Sequence, residues 1–222
     1  MATSGTKTFS LDTAAVMEEA YELAGLELRT GYDAVTARRS LNIMFSDWAN
    51  RGVNVWTITQ VNLSMVEGQN NYTLNSYDID IIDAVIRRTV GTTVTDFQLS
   101  SIGRDEYLNI PTKATKARPT EYFLDRQATP VLYVWPAPEN STDVFVSNRI
   151  QRIDDVNKSV EDPDVPSRFI APMVSGLAFY IALKKNPERI QILKPLYEED
   201  FARAVAGDQG RNSLHLVPRR SY

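Results

Sequence analysis

Asp80 and Asp83 flank two isoleucines in an apolar stretch, and paired carboxylates in such surroundings could act as a general acid and a general base. The same pattern is typical of carboxylates that are solvated at the end of a strand. Other catalytic signatures are missing: the sequence has no G-x-S-x-G elbow, no Walker A loop, no G-x-G-x-x-G turn after a strand and no H-E-x-x-H motif. We therefore expect binding rather than catalysis.

Metal and redox chemistry lack their usual ligands. The chain has no cysteine and a single histidine, His215, which excludes disulfides, thiolate catalysis and cysteine-based zinc sites. Residues 154–164, D-D-V-N-K-S-V-E-D-P-D, offer oxygen ligands to calcium, but they lack the glycine and the ligand spacing of an EF-hand loop. We predict a solvated acidic linker there, and neither a metal nor a cofactor.

The strongest short basic cluster outside the C-terminal end lies in the loop I-P-T-K-A-T-K-A-R-P-T, residues 110–120. Its cations are Lys113, Lys116 and Arg118. They could contact DNA phosphates or an acidic neighbour in an assembly, or they could simply keep an irregular loop soluble. The whole chain carries a formal charge of −4, which argues against a general nucleic-acid-binding protein.

The C-terminal end, residues 207–222, begins polar and then reads S-L-H-L-V-P before two arginines. Leu214 and Leu216 share one parity, and His215 and Val217 share the other, as in a short strand. This strand has nothing local to pair with. It could add to the β domain, add to the sheet edge of a neighbour, or fray.

The hydrophobic pattern predicts two helices, then a run of strands, then two more helices. The second helix, which ends at Gly52, has the spacing i, i+3, i+4, i+7 of a core-facing stripe, and the helix that begins near Pro166 has a similar stripe. Between them, apolar residues recur with period 2 and turn residues separate short runs. The residues that we expect in the helical core are Leu41, Met44, Phe45 and Trp48 in the second helix, and Ile170, Met173, Val174 and Leu177 in the third.

These elements predict an α+β fold: an antiparallel four-helix bundle with an inserted β-sandwich or β-barrel domain between helices 2 and 3, and an extended C-terminal tail. The bundle would comprise residues 1–52 and 165–206, the β domain residues 53–164, and the tail residues 207–222. No run approaches the roughly 18 apolar residues of a membrane span, so we predict no contact with a membrane. The polar N-terminus does not resemble a secretory signal.

Several different short motifs are distributed along nearly the whole chain, and their order is more informative than any one of them. They are R-R-S-L-N-I-M-F-S-D-W-A-N-R-G-V-N-V-W at 38–56, I-I-D-A-V-I-R-R at 81–88, R-D-E-Y-L at 104–108, A-R-P-T at 117–120, T-P-V-L-Y-V-W-P-A-P at 129–138, R-I-Q-R-I at 149–153, S-G-L-A-F-Y-I-A-L-K at 175–184 and S-L-H-L-V-P at 213–218. In this order and spacing they resemble the head-to-tail adaptor proteins of short-tailed bacteriophages (podoviruses), also called tail tubular protein A or packaged-DNA stabilisation protein.

The resemblance implies a structural virion protein that docks beneath the portal protein and forms a dodecameric ring. This ring would connect the capsid vertex to the tail nozzle protein and to the tail fibre or tailspike protein. It would be assembled in the host cytoplasm, prolong the channel for packaged double-stranded DNA, and retain that DNA until ejection. The helical part would form the ring and face the portal, the β domain would face nozzle and fibres, and the C-terminal segment would bind the portal through Arg211, Leu214, His215, Leu216, Val217, Arg219 and Arg220.

Two other functions remain open. Some relatives of this class have been credited with cell-wall hydrolase activity, and a tail-associated hydrolase would need two carboxylates across a sugar cleft. A nucleic-acid-binding module built on the 110–120 loop is the third hypothesis, and the net acidity argues against it. The carboxylates that a hydrolase could use are Glu18, Glu19, Asp80, Asp83 and Glu121.

Overall fold

The structure is a computed structural model that describes residues 9–53 and 55–208. These residues divide into two compact units. The helical unit combines the residues up to Val53 with those from Asp154 onward, and the β unit takes up the residues between them, to Ile153. Each unit has its own core.

Five α-helices and eight strands are formed over the described residues. The helix α3 belongs to the β unit, and the other four form the helical unit. The helices are α1 (Thr13–Leu23), α2 (Gly31–Asn50), α3 (Arg104–Asn109), α4 (Ile170–Lys185) and α5 (Ile190–Asp208). The strands are β1 (Ile58–Ser64), β2 (Asn71–Thr73), β3 (Asp78–Val90), β4 (Thr93–Gln98), β5 (Ser100–Ser101), β6 (Glu121–Asp125), β7 (Val131–Trp135) and β8 (Val144–Gln151).

The first turn of α1 receives its hydrogen-bond acceptors from a distant part of the chain. The carbonyl oxygens of Glu161 and Ser159 accept the N–H groups of Thr13 and Ala14, at 3.1 and 2.8 Å. A helix leaves such N–H groups without an intrahelical partner. The sequence predicts a solvated linker over residues 154–164, whereas the backbone of this segment completes the start of α1.

The helix α4 lies at the centre of the helical unit, and α1, α2 and α5 each pack against it. In contrast, α1 and α2 contact each other at few positions. A helix that is buried on every side is the core of its unit rather than one wall of it. The buried residues of α4 are found all round it: Pro172, Met173, Ser175, Gly176, Leu177, Ala178, Ile181 and Ala182.

The predicted antiparallel four-helix bundle is therefore wrong, although the α+β class holds. The described residues form five helices and two four-stranded sheets. The helix α3 belongs to the β unit, and α1, α2 and α5 surround α4 instead of sharing a central axis with it. The prediction assumed that α4 buries one stripe. Ile170 and Val174 of that stripe are only half-buried, while Ser175 and Gly176, which lie outside it, are buried.

A cluster of aromatic rings joins α2 to α4 and α5. Trp48 is 0% exposed, and its ring centroid lies 5.6 to 5.7 Å from those of Phe45, Phe169 and Phe201. Its indole Nε1 donates a hydrogen bond to the hydroxyl of Tyr197 at 2.9 Å, so the polar atom of the indole is satisfied inside the core. The buried face of α2 carries Leu41, Met44, Phe45 and Trp48.

Gly176 lies where α4 packs closely against Met44 and Tyr197, beside this cluster. A Cβ atom at this position would lie 2.5 Å from Sδ of Met44 and 2.7 Å from Cε2 of Tyr197. We expect Gly176→Ala to lower the free energy of unfolding of the helical unit by about 1 to 3 kcal/mol, because the core must shift to accept the methyl group. Alanine has the higher helix propensity by about 1 kcal/mol, so an effect of propensity alone would have the opposite sign. Urea unfolding followed by far-ultraviolet circular dichroism measures the change.

Gly31→Ala is the matched control. Gly31 is the first residue of α2, and a Cβ atom there would meet no heavy atom within 4 Å. This variant should be as stable as the parent chain or slightly more stable. A Gly176→Ala protein that matched it would contradict the close packing described above.

The β unit consists of two four-stranded sheets, with strand orders β1-β8-β3-β4 and β2-β7-β6-β5. Alternation decides which side chains point inward: Leu132 and Val134 of β7 are buried, while Val131 and Tyr133 are half-buried. Both sheets contribute to one hydrophobic core, which contains Met65, Tyr72, Leu74, Ile81, Ala84, Ile86, Leu99, Tyr122, Leu132, Val134 and Phe145.

Three aromatic rings attach α3 to the outer side of the second sheet. The ring centroid of Tyr107 in α3 lies 5.8 Å from that of Phe123 and 5.2 Å from that of Tyr133. Because α3 leads directly into residues 110–120, this contact also fixes the start of the basic loop.

Candidate functional site

Lys113, the first cation of the basic loop, lies at the C-terminal end of α3. Its Nζ donates hydrogen bonds to the carbonyl oxygens of Leu108 and Ile110, both at 3.0 Å, and lies 5.4 Å from the ring centroid of Tyr107. A cation in this position satisfies carbonyl groups that have no helical partner and interacts favourably with the helix dipole. The charge of Lys113 therefore stabilises α3.

The other two cations of the loop also contact side chains of the β unit. Nζ of Lys116 lies 2.9 Å from Oε1 of Glu67, and both side chains are largely exposed. The guanidinium carbon of Arg118 lies 3.9 Å from the ring centroid of Phe97, a cation–π contact. Each of the three cations thus has a partner within the chain.

The backbone of the loop is held as firmly as its side chains. The N–H of Ala137 donates to the carbonyl of Thr115, and the carbonyl of Ala137 accepts the N–H of Ala117, both at 2.9 Å. The structure therefore brings the three predicted cations to intramolecular partners in an ordered loop. A contact of this loop with DNA or with a partner stays a prediction.

The C-terminal residues predicted to contact the portal lie outside the described residues. Their contact with the portal also stays a prediction. They are Arg211, Leu214, His215, Leu216, Val217, Arg219 and Arg220.

Two of the carboxylates considered for a hydrolase bind other side chains of the β unit, and the other three lie on α1 and β6. Asp80 accepts a hydrogen bond from Arg126 at 2.6 Å, and Asp83 accepts one from the side-chain amide of Asn148 at 2.7 Å. These contacts join β3 to neighbouring parts of the β unit, and they give the hydrolase hypothesis no support. Of the remaining candidates, Glu18 and Glu19 are exposed on α1 and Glu121 is half-buried in β6.

The acidic segment 154–164 lines a depression on the helical unit. Glu161 accepts the backbone N–H groups of Lys158 and Asn157, at 2.9 and 3.1 Å, and these hydrogen bonds lower the pKa of its carboxyl group. Among residues 9–53 and 55–208, no group of three or more His, Cys, Asp or Glu side chains is arranged to hold a metal ion. The Glu161 carboxylate thus shapes a turn.

Ion pairs hold both ends of α2 in place. Asp33, in its first turn, pairs with Lys185 at the end of α4; this hydrogen bond lowers the pKa of Asp33 and raises that of Lys185. Arg51, just beyond α2, donates to both carboxylate oxygens of Glu198 in α5, at 2.8 and 3.1 Å, which lowers the pKa of Glu198. The side of α2 that points away from α4 is therefore held in one orientation.

That side of α2 carries apolar residues that the sequence analysis did not single out. Tyr32, Val35 and Ile43 are 75%, 43% and 51% exposed. Their spacing places them together on the side opposite Trp48. A second helical periodicity is visible in the sequence at positions 32, 35, 39 and 43, but the buried stripe alone was sufficient to predict the helix.

The β unit has an exposed apolar feature at one hairpin. Val90 and Val94 lie on either side of the turn between β3 and β4, and both are largely exposed. Gly91 provides the left-handed backbone of this turn, with φ of 62°. Apolar side chains at the tip of a hairpin are available to a partner.

A family model described as SU10 adaptor protein matches residues 20–220 of the chain. The match extends across both units. A comparison with curated protein sequences finds no significant match. None of the helices described in the structure combines the length and the apolar character that crossing a membrane requires.

Proposed function

The chain belongs to the SU10 adaptor protein family, a family of bacteriophage head-to-tail adaptors, and we propose that it forms a ring beneath the portal protein that connects the capsid vertex to the tail. The match over residues 20–220 is the observation that carries this proposal. A phage adaptor has a structural role in the virion, where it interacts with other head and tail proteins. The ring would be dodecameric, as in the podovirus adaptors, and assembled in the host cytoplasm.

The division of the chain into two units supports a connector with two sets of partners. A unit with its own core can bind one partner without rearranging the other unit. We assign the portal and the neighbouring copies to the helical unit, and the tail nozzle and fibre or tailspike proteins to the β unit. The exposed pair Val90 and Val94 is a candidate contact for one of these tail proteins.

Charge is consistent with a channel through which DNA slides. The formal charge of −4 makes the chain repel phosphates on average, and the cations of the 110–120 loop already have intramolecular partners. A ring of this composition would prolong the DNA channel without holding the DNA by its backbone. Retention of the packaged genome would then depend on the width of the lumen rather than on attraction.

The experiment that tests this function mixes the purified chain with the portal protein of the same phage. We expect a monomeric or weakly associated chain alone, and rings on the portal after mixing, seen by electron microscopy and sedimentation. Removal of residues 209–222 should lower the affinity for the portal by about tenfold or more, as expected when a segment that contacts the portal is lost.

Asp96→Ala is the control for the truncation, because it removes a partly exposed charge of the β unit outside the predicted contacts and leaves the C-terminal segment intact. It should bind the portal as the parent chain does. No binding of the parent chain to the portal under any condition would overturn the proposed function, whereas normal binding of the truncated chain would overturn only the role of the segment.

A further inference from the structure

The helix α2 has two apolar faces, and the residues that the structure describes cover only one of them. The buried face packs on α4, while Tyr32, Val35 and Ile43 form a second, exposed face. Arg39 lies between Val35 and Ile43 on this face, and it is exposed as well. We call these four residues the outer face of α2.

The helix α5 presents a similar exposed face. Ile192 is 66% exposed, and Pro195, Glu199 and Ala202 follow it at the spacing of one helix face. These four residues, the outer face of α5, lie opposite the buried residues of the helix, which include Leu193 and Tyr197. Both outer faces therefore point away from the core of the helical unit.

Each outer face has one charged residue, and the two charges are opposite. Within residues 9–53 and 55–208, neither Arg39 nor Glu199 makes an ion pair or a side-chain hydrogen bond. Arg39 also lies near another cation, Lys184, whose pKa is lowered by burial and by repulsion from Arg39. The surroundings of Arg39 are thus positive and favour an incoming carboxylate.

The two faces also match in register. Arg39 follows Tyr32 by the same number of residues by which Glu199 follows Ile192, about 10.5 Å along each helix axis. When the two helices are placed side by side in parallel, the two charges meet where the apolar residues also meet. An antiparallel arrangement could also pair the two charges, but it would separate Tyr32 from Ile192, the most exposed apolar residue of each face.

The helical unit gives α2 and α5 the directions that this parallel pairing needs. Asp33, at the start of α2, contacts Lys185 at the end of α4, and Trp48, near its end, contacts Phe169 just before α4. α2 is therefore antiparallel to α4. α5 follows α4 after a short turn and folds back along it, so α2 and α5 run in the same general direction. A rotation about an axis along these helices preserves their direction.

We propose that the outer face of α2 in one copy of this chain packs against the outer face of α5 in the next copy, with Arg39 paired to Glu199. This proposal rests on the ring proposed above and specifies its subunit contact. Two different surfaces meet, so the contact is heterologous and can close a ring by rotation. One pair of helix faces is a small interface, consistent with a chain that associates weakly until the portal gathers its copies.

Exchange of the two charges tests the pairing on the full chain with its portal. Arg39→Glu or Glu199→Arg alone would place like charges opposite each other, and we expect the yield of rings counted by electron microscopy to fall by about tenfold. The double variant restores opposite signs and should restore the rings. Glu18→Arg, on the exposed side of α1, controls for the change of charge and should assemble normally.

Disulfide cross-linking identifies the neighbours directly, because the chain has no cysteine of its own. A Val35→Cys chain is mixed with a Pro195→Cys chain, assembled on the portal and oxidised. A disulfide between them can form only between different copies, and we expect a covalent dimer on a non-reducing gel. Glu18→Cys replaces Pro195→Cys in the control mixture, which should give no dimer.

The outcomes separate this contact from the ring itself. Rings that form normally from both single-charge variants, without a disulfide between positions 35 and 195, would overturn the assignment of these faces and leave the ring intact. Failure of the unaltered chain to form rings with the portal would overturn the ring and this contact together.

Discussion

Replacing Trp48 by alanine is expected to lower the free energy of unfolding of the helical unit by about 3 to 5 kcal/mol. The indole is 0% exposed and lies among the rings of Phe45, Phe169 and Phe201, so the change leaves a cavity bordered by three helix segments. It also removes the donor that binds the hydroxyl of Tyr197 at 2.9 Å, and a buried hydroxyl without its partner adds to the loss.

Far-ultraviolet circular dichroism is the appropriate measurement, because nearly all of the described helix belongs to the helical unit. Trp48→Phe should fall between the parent chain and Trp48→Ala, since it keeps part of the ring contacts but loses the N–H and the volume of the second ring. Ile43→Ala, on the exposed side of the same helix, is the control and should change the free energy of unfolding by less than about 0.5 kcal/mol. A loss below about 1 kcal/mol for Trp48→Ala would contradict the central position of the indole.

How far the sequence predicts the fold is shown by the contrast between α2 and α4. In α2 the apolar residues of the core face lie between charged and polar residues, so the helical period identifies Leu41 and Trp48, which are both buried. In α4 apolar and small residues occur on every side, and a stripe can be drawn through them in several ways. Gly176 and Ser175 were the informative residues there, because small side chains allow neighbouring helices to approach closely.

The basic loop shows why part of the candidate site was beyond prediction. The contact of Lys113 with the end of α3 is local, and the rule that cations favour helix C-termini could have suggested it. Lys116 and its partner Glu67 are 49 residues apart, and only the fold brings them together. A cluster of cations in a sequence therefore shows where positive charge lies, but not whether these cations already have intramolecular partners in the folded chain.

For the outer face of α2 the reverse holds. The spacing of its apolar residues was visible in the sequence, but it was not interpreted as a contact surface. One amphipathic stripe explained why the helix forms, and Tyr32 and Val35 then counted as ordinary surface residues. In a subunit of an assembly, an exposed apolar stripe on a well-anchored helix has a second interpretation as a contact surface. The structure makes this interpretation specific, because α5 carries a second exposed stripe that contains a charge of opposite sign.

In the β unit, Asp78→Ala is expected to lower the free energy of unfolding by about 3 to 5 kcal/mol, because it leaves the guanidinium of Arg149 buried without its counter-ion. The two side chains are 2% and 3% exposed, and Nη1 of Arg149 lies 2.8 Å from Oδ2 of Asp78. Asp78 also accepts a hydrogen bond from Gln151 at 2.8 Å. Unfolding followed by tryptophan fluorescence reports the change, since Trp56 and Trp135 belong to this unit.

Asp96→Ala is the matched control, because Asp96 binds Arg87 in the same sheet but both side chains are over a third exposed. Solvent screens that pair, and no resolvable loss of stability is expected. If Asp78→Ala were as harmless as Asp96→Ala, the burial of the Asp78–Arg149 pair would be contradicted.

A double replacement shows what the buried pair contributes besides stability. Nη2 of Arg149 is buried and has no hydrogen-bond partner among the described residues, so the pair does not fully recover the cost of removing its charges from water. We therefore expect Asp78→Leu combined with Arg149→Met to be more stable than Asp78→Ala alone. Asp78 lies where the pairing of β3 with β8 shifts register, and its bonds to Arg149 and Gln151 hold β3 at that point. We therefore expect the ion pair to specify the alignment of two central strands at little net gain in stability.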